Sequence, residues 1–429
     1  MNTLAATATI PKQIEQSSTD CAASASGTTG VLVMGADYRA LGVVRSLGRR
    51  GIPVWVVKQG GHLVASTSRY VSRTVPWPDG SDSGKIEYLL DLGAKHNLDS
   101  WLLIPTDDYT VGLVSAHHGT LARKYKLTVP PWETLRWACD KRLLHQLADD
   151  LAIHQPWTAC PLNRQHLATI DCPFPVILKP AVRLQPSNLA IPKAWLAEDR
   201  DSLLARYDEA SALLPPEDLI VQEIVTGGGE AQFSYAALCK DGISLASVLA
   251  RRTRQFPKDF GQLSTYVETV DVPEIIRPAE RLLTAMRFTG LAEVEFKRDP
   301  RNGQFKVLDI NPRVWGWHTL SRRAGVDFPY LLWLLAKGDP VPRLRGRAGE
   351  RWVLLSADLR VAIEEILGGR LSLWDYLRSI RGPVESALFS WDDPLPGLLD
   401  LPLFANAAGR RALESIRVQF GSRLPSLFC

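Results

Sequence analysis

The residues best suited to chemistry lie on a predicted hairpin. Its first strand, 291–298, carries Glu293 and Glu295; its second, 304–310, runs into Leu308-Asp309-Ile310-Asn311-Pro312-Arg313, and Asp299-Pro300-Arg301-Asn302-Gly303 forms the turn. Side chains alternate along a strand, so Glu293 and Glu295 share a face, as do Asp309 and Asn311. Asp309 sits among Val307, Leu308 and Ile310, and a carboxylate in an apolar strand is costly without compensation. If the strands pair, Glu295, Asp309 and Asn311 converge. Two carboxylates and a carboxamide oxygen make a hard oxygen site suited to Mg²⁺ beside phosphates. Taken alone, the hairpin reads equally well as an exposed sheet face with ordinary charges.

Cations and a strand edge lie upstream. Of the 50 basic residues 14 are Lys and 36 Arg, so a lysine beside a motif stands out. Lys179 closes an apolar strand, 175–180, and Lys141 separates two helical stretches, although either alone is more often a solvated surface lysine. The strand 219–225 contains Gln222, Glu223 and Val225 and precedes Thr226-Gly227-Gly228-Gly229-Glu230. Such an edge can offer backbone groups to an adenine ring, with Glu223 accepting from the exocyclic amine and Glu230 from ribose hydroxyls. A flexible turn is the plainer account of the three glycines, and no GxxxxGK[ST] phosphate loop occurs. Arg251-Arg252-Thr253-Arg254 suits an anionic substrate or a γ-phosphate, and unbroken alternation would aim Arg252 and Arg254 together. A solvated strand end is the alternative.

Several elements must position these groups. Val31–Met34, a turn at Gly35, a helix over 38–50 and a strand over 52–57 make a βαβ unit with a parallel sheet. The turn is similar to GxGxxG but lacks its second glycine, so it reads as a tight strand-to-helix turn. A strand end at 101–105 leads to Thr106-Asp107-Asp108, at the kind of carboxyl-end crevice where parallel sheets bind ligands. The middle of the chain reads as α+β, with helices over 133–151, 199–214 and 274–288 and a strand pair over 231–240 and 243–251. Beyond residue 341 only helices over 357–367, 373–381 and 407–420 are suggested.

Composition narrows the function classes. The 429 residues are 45% hydrophobic and 22% charged with a net charge of +4, which excludes a mainly disordered chain and argues against nucleic acid. No apolar run nears the ~20 residues of a membrane span. The six cysteines form no CxxC pair, so neither a zinc knuckle nor a disulfide framework is expected, and a reducing cytoplasm is. Residues 1–29 read as a flexible tail without a secretory signal.

In order and spacing these pieces resemble the ATP-grasp superfamily, which includes D-alanine–D-alanine ligase, biotin carboxylase and carbamoyl phosphate synthetase. The resemblance covers about residues 31–340. Glu295 and Asp309-Ile310-Asn311-Pro312-Arg313 are similar to the family's metal-binding carboxylate and its E-x-N-P-R segment, with Asp309 in place of the usual Glu. Lys141 and Lys179 resemble its nucleotide lysines, Glu223 and Glu230 its adenine-side and ribose carboxylates, and Arg313 the arginine that steadies the transferred phosphoryl group. One departure is the absence of glycine from 181–193, where many relatives carry a Gly-rich covering loop; Lys193 is a candidate helper there. Arg251–Arg254 with Asp259-Phe260-Gly261, and Trp315-Gly316-Trp317-His318 with Ala324-Gly325-Val326-Asp327, resemble carboxylate–amine ligases of the D-aspartate ligase type.

The resemblance implies a mixed α/β and α+β architecture. An N-terminal parallel-sheet domain would span 30–135 and an ATP-grasp domain 136–340, comprising a lid subdomain near 158–225 and an antiparallel catalytic subdomain. A C-terminal extension of unassigned role would follow over 341–429. The implied activity is ATP- and Mg²⁺- (or Mn²⁺-) dependent coupling of a small carboxylate to an amine through an acylphosphate. Glu295, Asp309 and Asn311 would hold the metal, Lys141, Lys179, Gln222, Glu223, Val225 and Glu230 the nucleotide, and Arg313, Arg252 and Arg254 would be catalytic. Trp315, Trp317, His318 and Asp107 would meet substrate, unless the tryptophans are core. Small-molecule carboxylate and amine partners are expected, without nucleic acid or an integral membrane segment, and a homodimer is one open option for the oligomeric state. An acid–thiol ligase, a small-molecule kinase and a non-catalytic nucleotide-binding protein remain alternatives.

Overall fold

The computed structural model describes residues 29–58, 63–182, 184, 191–256 and 263–400. The tail expected over 1–29 (apart from residue 29), the Asp259-Phe260-Gly261 segment and a helix over 407–420 lie outside the described residues.

Five strands, β1 (Val31–Met34), β2 (Val54–Lys58), β3 (Arg73–Pro76), β4 (Leu102–Pro105) and β5 (Lys126–Leu127), form a parallel sheet in the order β3-β2-β1-β4-β5. β1 and β4 are buried along their whole length, as expected of central strands covered on both faces. The order reverses between them, so their carboxyl ends open a crevice. Gly35 follows β1 at φ +133°, and a Cβ there would lie 2.2 Å from Thr106 Oγ1. Steric need therefore explains this glycine, and the turn lets Asp37 cap the helix Tyr38–Gly48.

A small antiparallel sheet follows, with β6 (Thr158–Ala159), β7 (Val176–Pro180), β8 (Trp195–Ala197) and β9 (Leu219–Glu223) in the order β6-β9-β7-β8. Val176, Leu178, Trp195 and Val221 pack beneath the helix Arg200–Ser211, which leaves Lys179 and Gln222 on the opposite face.

The third sheet runs β14-β13-β10-β11-β12-β16-β17, with β15 paired to β11. Its members are β10 (Gln232–Lys240), β11 (Ile243–Phe256), β12 (Leu263–Thr269), β13 (Gly290–Arg298), β14 (Phe305–Asn311), β15 (Leu344–Arg345), β16 (Arg351–Val353) and β17 (Glu385–Ser386). The helix Ile276–Ala285 covers one face through Ala279, Leu282 and Leu283, and Phe328–Lys337 joins the core of the other through Leu331 and Leu332. The described residues beyond 341 therefore supply three strands and the helices Leu355–Leu367 and Leu373–Ile380. They also tie back to the first domain, where buried Asp393 accepts from Arg45 Nε at 2.9 Å and Ser68 Oγ at 2.7 Å. No described helix is long and apolar enough to cross a membrane.

Candidate active site

The three sheets meet at a cleft of about 240 Å³. Lys179 and Lys193 enter it from the small sheet, Lys141 from the start of a helix, and Tyr38, Arg39 and Asp108 from the carboxyl ends of β1 and β4. The floor is β13 and β14. Their register pairs Glu295 with Asp309 and Glu293 with Asn311, so all four side chains reach one face. A bulge at Leu308, directly behind this face, resets the pairing so that Val307 meets Phe296 in the core.

The acidic group is tightly wired. Asn311 Nδ2 donates to Glu295 Oε1 at 2.9 Å and to Glu293 Oε2 at 3.1 Å, which turns its Oδ1 toward Arg313 Nη2 at 3.3 Å. Glu295 also accepts from Arg252 Nη2 at 2.7 Å and Gln232 Nε2 at 2.6 Å. Burial alone would raise its carboxyl, but Arg252 and then Lys193 outweigh burial and hold it below the usual range. Glu293 has no such cation in contact. It accepts from Ser234 and Trp317, both at 2.8 Å, and burial, then repulsion from Glu295, pushes its carboxyl upward. Asp309 is the most open of the set, with 31% side-chain exposure, and lies 3.3 Å from Lys141 Nζ. Among the described residues no group of three or more His, Cys, Asp or Glu forms a metal site. The donor set still fits a hard divalent cation shared with phosphate oxygens, because Glu295, Asp309 and the Asn311 amide oxygen lie side by side on one sheet face.

The lysines are arranged for a polyanion. Gln222 holds Lys179: its Oε1 accepts from Nζ at 2.8 Å, while its Nε2 donates to Thr158 Oγ1 at 2.9 Å and His145 Nε2 at 2.8 Å. Burial, then repulsion from Lys141, pushes Lys179 down to about 7, and burial pushes Lys193 down to about 8. Leu184 lines the cleft and packs against Gly112 of the first domain. A phosphate chain here would raise both lysine pKa values, so the complex binds more protons than its components. Affinity should therefore fall as pH rises above about 7. Calorimetry of nucleotide binding at pH 8 in buffers of different ionisation enthalpy should register uptake of about one proton. Lys179→Met should lose most of that uptake, whereas proton release by the wild-type chain would contradict the assignment.

Not every expected residue reaches the cleft. A bulge at Thr253 puts Arg254 opposite Tyr266 and out of phase with Arg252. Arg252 stays in the cleft, while Arg254 turns to a bidentate pair with Asp358 at 2.7 and 2.9 Å, its guanidinium 4.1 Å from the centre of the Tyr266 ring. Glu223 ends its strand on the face away from Lys179, and its oxygens are taken by Lys306 and Arg301. Glu230 is exposed and folds back onto the Gly228 amide at 2.9 Å, and Val225 is buried just beyond β9. Trp315 is core, its ring 4.9 Å from that of Phe328. His318 is buried against Gly42, and burial pushes it down to about 4; only Trp317 of this group lines the cleft. Asp107 caps the helix Asp108–Ala116, and it is Asp108 that meets Arg313 at 2.5 and 3.1 Å. Asp108 lies on the loop expected at the crevice, whereas the lining residues Glu293 and Tyr38, and the supporting Gln232, were outside the expected set. Only Glu293 carried a visible signal, through its shared face with Glu295.

Comparison with known proteins agrees with this layout. A family profile described as "ATP-grasp in the biosynthetic pathway with Ter operon" matches residues 217–350. D-aspartate ligase of Enterococcus faecium (strain Aus0004) is 24% identical over 302 residues, spanning 66% of this chain and 70% of that protein. The L-amino acid ligase structure from Bacillus licheniformis superposes with a TM-score of 0.57 at 13% identity, covering 72% of this chain and 74% of that one. N5-carboxyaminoimidazole synthetase from Staphylococcus aureus gives 0.59 at 14% identity over 79% and 86%. With its three-sheet architecture, the chain has an ATP-grasp fold, and residues 217–350 match an ATP-grasp family profile.

Proposed function

We propose that this protein is an ATP-dependent carboxylate–amine ligase that forms an acylphosphate and releases ADP and phosphate. The observation that carries this reading is the convergence of Glu295, Asp309 and Asn311 with Lys141, Lys179, Arg252 and Arg313 in one cleft. Lys141 and Lys179 bind the phosphate chain. Glu295, Asp309 and Asn311 hold Mg²⁺ or Mn²⁺, which when bound neutralises phosphate charge. Arg313, steadied by Asp108, faces the transferred group, and Arg252 keeps Glu295 ionised. The amine then attacks the acyl carbon, and phosphate leaves as the amide forms. Such a reaction depends on positioning and electrostatics and needs no protein nucleophile.

The names D-aspartate ligase and L-amino acid ligase among the similar proteins direct the substrate search to amino acids. A matrix of amino acids and small carboxylates, assayed for ADP release and for amide product by mass spectrometry, tests the reading. ADP release should require an acid and an amine together. Release with a single hydroxylated compound would make the protein a kinase and overturn it.

A further inference from the structure

A second cavity, of about 540 Å³ against 240 Å³ for the cleft, lies at the far end of the large sheet. The β4–β5 side of the first domain forms one wall, with Leu127 and Val129, and the helix Phe328–Lys337 forms another, with Leu332 and Leu335. Lys240, at the end of β10, and Arg287, just past the helix Ile276–Ala285, add two cations to this lining against a single carboxylate, Asp241. Among the described residues neither cation makes a hydrogen bond or ion pair. Arg287 is also held at φ +50°, a backbone conformation disfavoured for any residue with a Cβ.

We propose that this cavity is a second small-molecule site, for an organic anion with an apolar body. Its volume, and walls shared about equally between apolar and polar groups, can hold a small ligand with an apolar body and a charged end. The charges on its lining select the sign of the ligand. The site is separate from the cleft: β10 runs from Gln232, which contacts Glu295, to Lys240, a span of about 27 Å at the rise of a strand. Two elements nonetheless touch both places. The helix Trp132–Cys139 begins beside the cavity at Pro131 and ends in the cleft at Cys139, and β13 begins at the cavity with Gly290 and continues to Glu293 and Glu295. An occupant would therefore press on the far ends of two elements that line the cleft.

Calorimetric titration of the full chain with 4-phenylbutyrate, 4-phenylbutanol and 4-phenylbutylamine tests the proposal, because the three probes share one body and differ in charge. The acid should bind at least about fivefold more tightly than the alcohol or the amine, the scale of a partly exposed ion pair. Its binding should persist at saturating ADP and Mg²⁺. The double variant Lys240→Ala, Arg287→Ala should lose the preference for the acid, and Ala336→Trp, which fills the cavity, should lose binding of all three probes while still binding ADP. Equal binding of the three probes, no binding, or displacement of the acid by ADP would each overturn the proposal.

Discussion

Asp309→Ala should lower ADP release by about 10³-fold or more, measured with the acid–amine pair that the wild-type chain turns over. Asp309 makes a cleaner test than Glu295. Glu295 is buried beside Arg252, so truncating it strands a buried guanidinium and confounds loss of chemistry with loss of fold. Asp309 is partly open, and among the described residues its ion pair is with Lys141 at 3.3 Å. Its loss should leave the thermal transition nearly in place. A second readout separates metal holding from general electrostatics. Without divalent cation, removing a carboxylate beside a phosphate site relieves repulsion, so the variant should bind ATP as well as or better than wild type. With Mg²⁺ the order should reverse, because the cation then lacks a ligand. Full turnover, or an unchanged Mg²⁺ dependence of ATP affinity, would remove Asp309 from the metal set.

Much of this site was legible because strand periodicity is simple. Alternation along 293–295 and 309–311 is enough to gather two carboxylates and an amide if the strands pair, and they do. The same rule does not hold at Arg254 for an equally simple reason: one extra residue, Thr253, shifts Arg254 out of register before a second irregularity restores the pairing at Gln255. The face on which Glu223 lies had an available signal. Lys179 and Gln222 share one face of the small sheet, so the residue after Gln222 must point to the other. Asp107 also carried a local signal, since Asp-Asp-Tyr-Thr has the form of a capping box with Thr110 at its third helical position. The pair between Asp108 and Arg313 had none, because its members are brought together only by the packing of the first domain on the third sheet. The strands beyond residue 341 are two or three residues long, too short for any period to register.

The Arg254–Asp358 pair yields the largest expected effect on stability, and it separates two roles that the sequence gives to neighbouring arginines. Asp358 is fully buried, and Arg254 beside it is 11% exposed, packed between the rings of Tyr266 and Tyr376. The pair links the long strand β11 to the helix Leu355–Leu367, and Arg254 Nη1 also donates to Ser379 Oγ at 3.1 Å in the next helix. Asp358→Ala leaves a guanidinium without its partner in an apolar setting, which should cost about 3–5 kcal/mol. That loss should appear as a clear fall in the denaturant midpoint of the unfolding transition that includes the C-terminal helices. Replacing both members by leucine should restore most of the stability, because two well-packed apolar groups carry no desolvation penalty. Arg254→Leu alone strands Asp358 instead and should destabilise to a similar degree. Where the variant remains folded it should still bind ATP, whereas Arg252→Leu should impair nucleotide turnover even in folded protein. If Arg254→Leu were as stable as wild type and yet inactive, Arg254 would belong in the cleft after all, and the bulge at Thr253 would have to rearrange when substrate binds.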